Sequence, residues 1–375
     1  YPDLPKAYQI SQYDEPLAVH GEVEIELMPE VDVHGNATGE PVYKKIRIHR
    51  LHLEEDAGKL THTATGTLCD YNRCGTPLME IVSEADMRSI PEASAYAREI
   101  QRIVRYVGAS SADMEKGMMR FDINVSLRPW GQKEFGTKVE VKNVNSFRSL
   151  ERALEYEMKR QTELLEAGKG AQIIQETRGW DDERGTTESQ RSKEGASDYR
   201  YFPEPDLPPL IVEKKTVEKL RLKIPELPVQ KKKRFMKEHG LTVEYATLLT
   251  ADGELADYFE KTVSLLKDVP DAGKKVAHMI NNVLIGCMER AAISIAQGKL
   301  SPESLAEILT MTSKGDISGS SGKELAEELF LEGGDVAELV KSKGRAQVSD
   351  TGFIEALCKK VLDANPNVVA EIKAG

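Results

Sequence analysis

The sequence predicts an α+β fold: a largely antiparallel-sheet domain followed by all-α helical domains. Three observations predict it. Several runs before residue 210 alternate with a period of two, two amphipathic helices lie among those runs, and Lys-, Leu- and Ala-rich segments with helical spacing take over afterwards. The change falls at YFPEPDLPPL, Tyr201 to Leu210, whose four prolines forbid helix and favour a stiff, extended connection. We therefore divide the chain into residues 1–210, 211–298 and 299–375.

Each element has its own signal. In RFDINVSL, Phe121, Ile123, Val125 and Leu127 point one way while Arg120, Asp122, Asn124 and Ser126 point the other, the pattern of a half-buried strand. After the turn-like RPWGQKEFG, TKVEVKNV alternates again, with Val139 and Val141 opposite Lys138, Glu140 and Lys142, so the two runs predict an antiparallel hairpin. KKIRIHRLHL, TGTLCDY, PLMEIVSE and AQIIQETR are further strand candidates. One helix is predicted from about Pro91 to Val107, with Ser89 near its start and Gly108 just past its end. A second spans about Phe147 to Leu165, with Phe147, Leu150, Leu154 and Met158 at helical spacing. In the last part, Ser301 and Pro302 make a cap and first-turn pair.

Composition excludes several classes. With 40% apolar and 30% charged residues the chain is neither disordered nor collagen-like, and no apolar run approaches the roughly 20 residues of a membrane span. The formal net charge of −11 argues against non-specific coating of nucleic acid. Local potential can differ from the net, however, and Glu213 to Glu238 carries ten Lys/Arg against four Asp/Glu, including Lys231, Lys232, Lys233 and Arg234. The four cysteines are too few and too scattered for a disulfide framework. Cys69 and Cys74, with His52 and His62 upstream, raise a zinc reading, but a second paired ligand set is missing. The chain opens at Tyr1 without an initiator Met or a leader, and we expect it to be truncated at its start.

Chemistry is concentrated in the first part. Glu80 lies among Leu78, Met79, Ile81 and Val82 on an expected buried strand, where a carboxylate must meet a cation, a metal or a ligand, or else be protonated. The alternative is an edge strand with Glu80 facing water. LHLEEDAGK brings His52, Glu54, Glu55 and Asp56 to a strand end followed by Gly58, and hard oxygen ligands there suit Mg2+ as well as a plain acidic turn. The polar face of the hairpin, with Arg120, Asp122, Asn124, Arg128, Lys138, Glu140 and Lys142, mixes both charges with an amide and can clamp a phosphorylated ligand. Tyr199, Tyr201 and Phe202 can stack on a base or cover a neighbouring domain. No P-loop, Rossmann fingerprint or nucleophile elbow is present.

Taken together, YPDLPKAYQISQYDEP, RLHLEEDAGKLTH, DYNRCGTPLMEIVSEADMRS, MMRFDINVSLRP, FGTKVEVKNVNSFR, QETRGWDD and DYRYFPEPDLPPL closely resemble the B-subunit family of aspartyl/glutamyl-tRNA(Asn/Gln) amidotransferase. The resemblance is strong up to about Leu210 and looser in the helical remainder. It implies a glutamine-synthetase-like cradle that uses ATP and Mg2+ to phosphorylate the side-chain carboxylate of Glu on tRNA(Gln) or Asp on tRNA(Asn). Ammonia from an amidase-type A subunit then displaces the phosphate, and the cytoplasmic heterotrimer is completed by a small C subunit. Carried onto this sequence, the resemblance makes Glu55 and Glu80 metal-binding and, with Asp122, catalytic. Arg120, Asn124, Arg128 and Lys138 fall to the ATP and substrate pocket, and Lys6 with Glu55 to the ammonia channel. The basic run Lys231 to Arg234 is then expected to contact tRNA. The family's opening strand, with a metal-binding histidine, and the end of its tail domain are missing here, so weak binding of Mg2+ and ATP is expected of this chain. Three other readings compete: an archaeal relative specific for Glu-tRNA(Gln), for whose large insertion there is no room; a non-catalytic tRNA-binding scaffold; and a free-standing ligase for a small carboxylate.

Overall fold

A computed structural model describes residues 10–28, 39–192, 206–342 and 351–366. It divides into two compact units, Tyr1–Val229 and Gln230–Gly375.

The described residues of the first unit form three sheets. Strands β1 (Ala18–Leu27), β2 (Val42–Glu55) and β5 (Pro77–Ser83) form an antiparallel sheet with β2 in the centre, and β3 (Lys59–Thr63) pairs with β4 (Gly66–Asp70) as a hairpin. The third sheet has the order β6 (Phe121–Val125), β7 (Val139–Val144), β8 (Glu176–Asp181), β9 (Thr186–Ser192). The expected hairpin is β6 with β7, antiparallel, with Ile123 opposite Val141; β8 joins β7 in parallel. AQIIQETR is a strand only from Glu176 onward, because Gly170–Gln172 closes a 3-10 turn and Ile173 is buried by itself.

Helix α1 (Ile90–Tyr106) starts where the Ser89 side chain accepts a hydrogen bond from the Glu92 amide, with Pro91 in its first turn. Its apolar stripe serves two cores. Ala97 packs with Val125, Val141, Val144 and Trp180 of the four-stranded sheet, whereas Ile100 and Val104 pack with Val23, Ile48 and Ile81 of the three-stranded sheet. Helix α2 (Phe147–Glu166), capped by Ser146, adds Leu150, Ala153 and Leu154 to the first of these cores. The two sheets therefore meet on one helix, which fixes the ends of β2, β5 and β6 relative to each other. A short helix, α3 (Lys214–Arg221), follows.

The second unit is helical: α4 (Pro228–His239, beginning at the unit boundary), α5 (Val243–Leu249), α6 (Gly253–Leu265), α7 (Ala272–Met279), α8 (Ile285–Ala291), α9 (Pro302–Lys314), α10 (Gly319–Leu331), α11 (Val336–Ser342) and α12 (Thr351–Ala364). One apolar core runs from Phe235 to Val340 and so crosses residue 298. Ser301 caps α9, accepting from the Ser304 amide, and Pro302 opens it, as the sequence expects. Among the described residues no helix is long and apolar enough to cross a membrane.

Candidate functional site

Strand pairing assembles the site. His52 on β2 lies directly opposite Glu80 on β5, and Glu54 follows two residues later on the same face of β2. The His52 Nε2 atom is 3.2 Å from Glu54 Oε1 and 3.8 Å from Glu80 Oε2. One ligand atom from each of the three residues lies within 4.8 Å of the others, close enough for a single cation. Beyond Leu51, where β1 stops pairing, residues 10–12 run along the freed edge of β2: the Gln12 amide donates to Leu53 O at 2.9 Å and the Glu55 amide to Ile10 O at 3.1 Å. This brings the Ser11 hydroxyl to Glu54 Oε1 at 2.8 Å. It also places the Tyr13 ring edge-on to His52, with the Arg50 guanidinium 3.9 Å above the Tyr13 centroid. His52 is fully buried, and its Nδ1 has no hydrogen-bond partner among the described residues.

Glu80 departs from the expectation of a buried strand. Among the described residues β5 pairs only with β2 and is an edge, and the Glu80 side chain is 51% exposed. Partial burial raises its pKa, the negative charges of Glu54 and Asp122 add to the rise, and His52 and Arg50 pull the other way. Two crowded carboxylates beside an imidazole are the donor set a divalent cation relieves, and they fit Mg2+ or Mn2+ with water and phosphate oxygens completing the shell.

The polar face of β6 and β7 contributes next. Asp122 on β6 accepts a 2.6 Å hydrogen bond from Lys142 on β7, which also lies 3.4 Å from Glu140. Burial opposes the Lys142 charge, but the Asp122 and Glu140 carboxylates outweigh it and raise the pKa. Glu140 in turn accepts from the Thr177 hydroxyl at 2.8 Å. Asn124 is exposed opposite Glu140, and Lys138 is exposed at the entry to β7. Arg120 lines a cleft of about 310 Å3 together with Asp56, Gly58, Lys59, Asp70 and Arg73. The LHLEEDAGK turn and the RFDINV strand, separate in sequence, thus share one wall. Arg128 is committed locally: it donates to Lys133 O and stacks on Phe135 at 4.9 Å.

The structure does not bring Glu55 to Glu80. Glu55 sits opposite Pro77, and strand alternation sends it to the face away from His52 and Glu54. Its carboxylate instead approaches Gly75, where an added Cβ would lie 3.9 Å from Oε2. Lys6, Tyr199, Tyr201 and Phe202 lie outside the described residues. The basic run is not a free cationic surface. Lys232 is 1% exposed, and Lys231, 7% exposed, is paired with Asp257 at 3.1 Å and Glu260 at 2.9 Å. Arg234 also reaches Glu260, at 2.6 Å, and Lys233 is half-buried. A contact between RNA and Lys231 or Lys232 would have to break this packing, in which the Lys231 stem is turned toward Asp257 and Glu260 of α6. Among the described residues Cys69 and Cys74 join no histidine in a ligand group. The alternation that runs through RIHRLHLEE already places His52 and Glu54 on one face and Glu55 on the other.

The chain matches the family model described as "GatB/GatE catalytic domain" over residues 1–218 and the one described as "GatB domain" over residues 257–375. It is 47% identical over 375 residues to a Persephonella marina protein named as the B subunit of aspartyl/glutamyl-tRNA(Asn/Gln) amidotransferase, covering 100% of this chain and 76% of that one. Proteins of the same name from Trichodesmium erythraeum and Carboxydothermus hydrogenoformans are 48% and 47% identical, each across 100% of this chain and 75% of theirs.

Proposed function

The chain belongs to the B-subunit family of aspartyl/glutamyl-tRNA(Asn/Gln) amidotransferase, and on that premise we propose that its first unit activates the side-chain carboxylate of a mischarged aminoacyl-tRNA with ATP. The observation that carries the proposal is the His52–Glu54–Glu80 group beside Asp122–Lys142 and the Arg120 cleft. A carboxylate is a poor acyl donor. Transfer of the ATP γ-phosphoryl group makes an acyl phosphate, and ammonia then attacks the acyl carbon and expels phosphate, leaving Gln or Asn on the tRNA.

His52, Glu54 and Glu80 are the residues that would hold Mg2+, which supplies charge neutralisation between phosphoryl oxygens and the incoming carboxylate. Arg120 and Lys59 provide cationic groups for the phosphates in the cleft they share. Asp122 holds the Lys142 ammonium on the same polar face, where it can meet an anionic oxygen. Ammonia comes from an amidase-type partner, and a third, small partner completes the assembly. A nucleophile for glutamine hydrolysis is not required of this chain. Burial takes Lys231 and Lys232 out of the basic run that supports a purely tRNA-binding scaffold, while Lys214, Lys215, Lys219, Arg221, Lys223 and Lys237 stay exposed.

Reconstitution with the amidase-type and small partners tests this reading. Glu80→Gln should lower amidation of Glu-tRNA(Gln) or Asp-tRNA(Asn) by about a hundredfold or more while glutaminase activity persists. Amidation unchanged in both Glu80→Gln and Glu54→Gln would refute it. Manganese titration followed by electron paramagnetic resonance separates the ligand sets. Glu54→Gln should weaken Mn2+ by about 10–100-fold and Glu55→Gln should not; the reverse pattern would restore Glu55 as the ligand.

A further inference from the structure

The helical unit holds a larger cleft, about 700 Å3, where α5, α7, α9 and α10 meet, and the proposed activation step makes no use of it. That volume lies within the range of small-molecule sites, about 300–1,000 Å3. Its floor is apolar: Leu241, Met279 and Leu309 belong to the buried core and present their edges to the opening. Its rim is cationic, with Lys274, Lys275 and Lys323, and among the described residues no carboxylate lines it. Lys275 donates to the Ser313 hydroxyl at 2.8 Å, Lys274 stands 3.8 Å from Asp271, and Lys323 is exposed without an ion pair among the described residues.

Two rings complete the lining, and they are held in place. The Asn282 amide nitrogen is 2.8 Å from the Tyr245 hydroxyl and 2.9 Å from His278 Nδ1. The same nitrogen lies 3.0 Å from His278 O, so the two amide hydrogens are shared among three acceptors that fix both rings beside the cleft. Asn282 reaches both rings from a π-helical turn, Ile280–Leu284, that interrupts the helix immediately after Met279. Such wide turns are uncommon and concentrate at functional sites.

An apolar floor flanked by aromatic rings suits a flat base, and a rim of ammonium groups suits phosphate. With no carboxylate to share a chelated cation, the lining favours a phosphate that arrives without Mg2+, which points to a monophosphate over a metal-bound triphosphate. We propose that this cleft binds a free 5′-mononucleotide, its base over Leu241, Met279 and Leu309 and its phosphate on Lys275 and Lys323. The site is separate from the ATP cleft of the first unit and does not depend on that reading.

Calorimetric titration of the full chain in EDTA with 5′-AMP, GMP, CMP and UMP tests the proposal. At least one should bind saturably in the micromolar to low millimolar range. The matching nucleoside and inorganic phosphate should each bind about tenfold more weakly. Lys275→Ala with Lys323→Ala should weaken binding by at least about tenfold, and Glu80→Gln should leave it unchanged. If the double variant does not fold, Lys323→Ala alone, at an exposed position, should still weaken binding. Absence of saturable binding by all four mononucleotides, undiminished binding in the lysine variants, binding only of an RNA oligonucleotide, or loss of binding in Glu80→Gln would each overturn it.

Discussion

Glu80 is where local energetics and chemistry pull apart. A carboxyl whose pKa rises on folding contributes stability below its unfolded pKa and loses it as pH rises through the folded value, so ionisation of Glu80 weakens the fold. Glu80→Gln should therefore raise the thermal midpoint in EDTA while strongly lowering amidation; a lower midpoint would mean that the carboxylate is structural. Asp86 shows the opposite sign. Its hydrogen bonds from Arg47 lower its pKa from 3.8 to about 2, and they tie β2 to the connection between β5 and α1. That stability is present above pH 3.8 and lost as pH falls toward about 2. Because Arg47 is 67% exposed, solvent screens the pair, and Asp86→Asn should cost about 1 kcal/mol near neutrality and nothing in strong acid. Urea titrations at several pH values check both signs.

Among the elements, those with strong local signals are the ones the sequence made legible. Ser89 and Pro91 at the start of α1, the alternation in β6 and β7, and Ser301–Pro302 at α9 each combine a cap or a period with an apolar stripe, and all are present. Strand β1 was equally readable, since Glu22, Glu24 and Glu26 alternate with Val23, Ile25 and Leu27, yet it is absent from the expected strands. AQIIQ misleads because two adjacent isoleucines imitate a strand where only Ile173 is buried. The pairing of His52 with Glu80 could not be read at all, because it depends on the register of two strands joined across a hairpin and loops. The glycine at the end of the α8–α9 connection gives a test of packing. A Cβ on Gly298 would stand 2.0 Å from the ring of Phe330, which is fully buried, and its backbone is ordinary extended. Gly298→Ala should thus cost about 1–3 kcal/mol through overpacking alone, and a companion Phe330→Leu should recover part of it. No recovery in that pair, measured by urea unfolding, would point to a different cause.

For the whole molecule, charge needs to be located before it is interpreted. The chain carries −11, and the run that looked like its RNA-facing surface is partly spent inside the second unit on Asp257 and Glu260. Substituting Lys231 should accordingly destabilise the helical unit and reduce tRNA affinity only in proportion to the unfolded fraction. What distinguishes this molecule is the cluster in the first unit, and trapping the activated intermediate tests it most directly. With ATP, mischarged tRNA and hydroxylamine in place of glutamine, the reconstituted complex should form aminoacyl hydroxamate at the side chain. His52→Ala and Glu80→Gln should abolish that product while glutaminase activity continues. Hydroxamate formed at the wild-type rate by both variants would contradict the account.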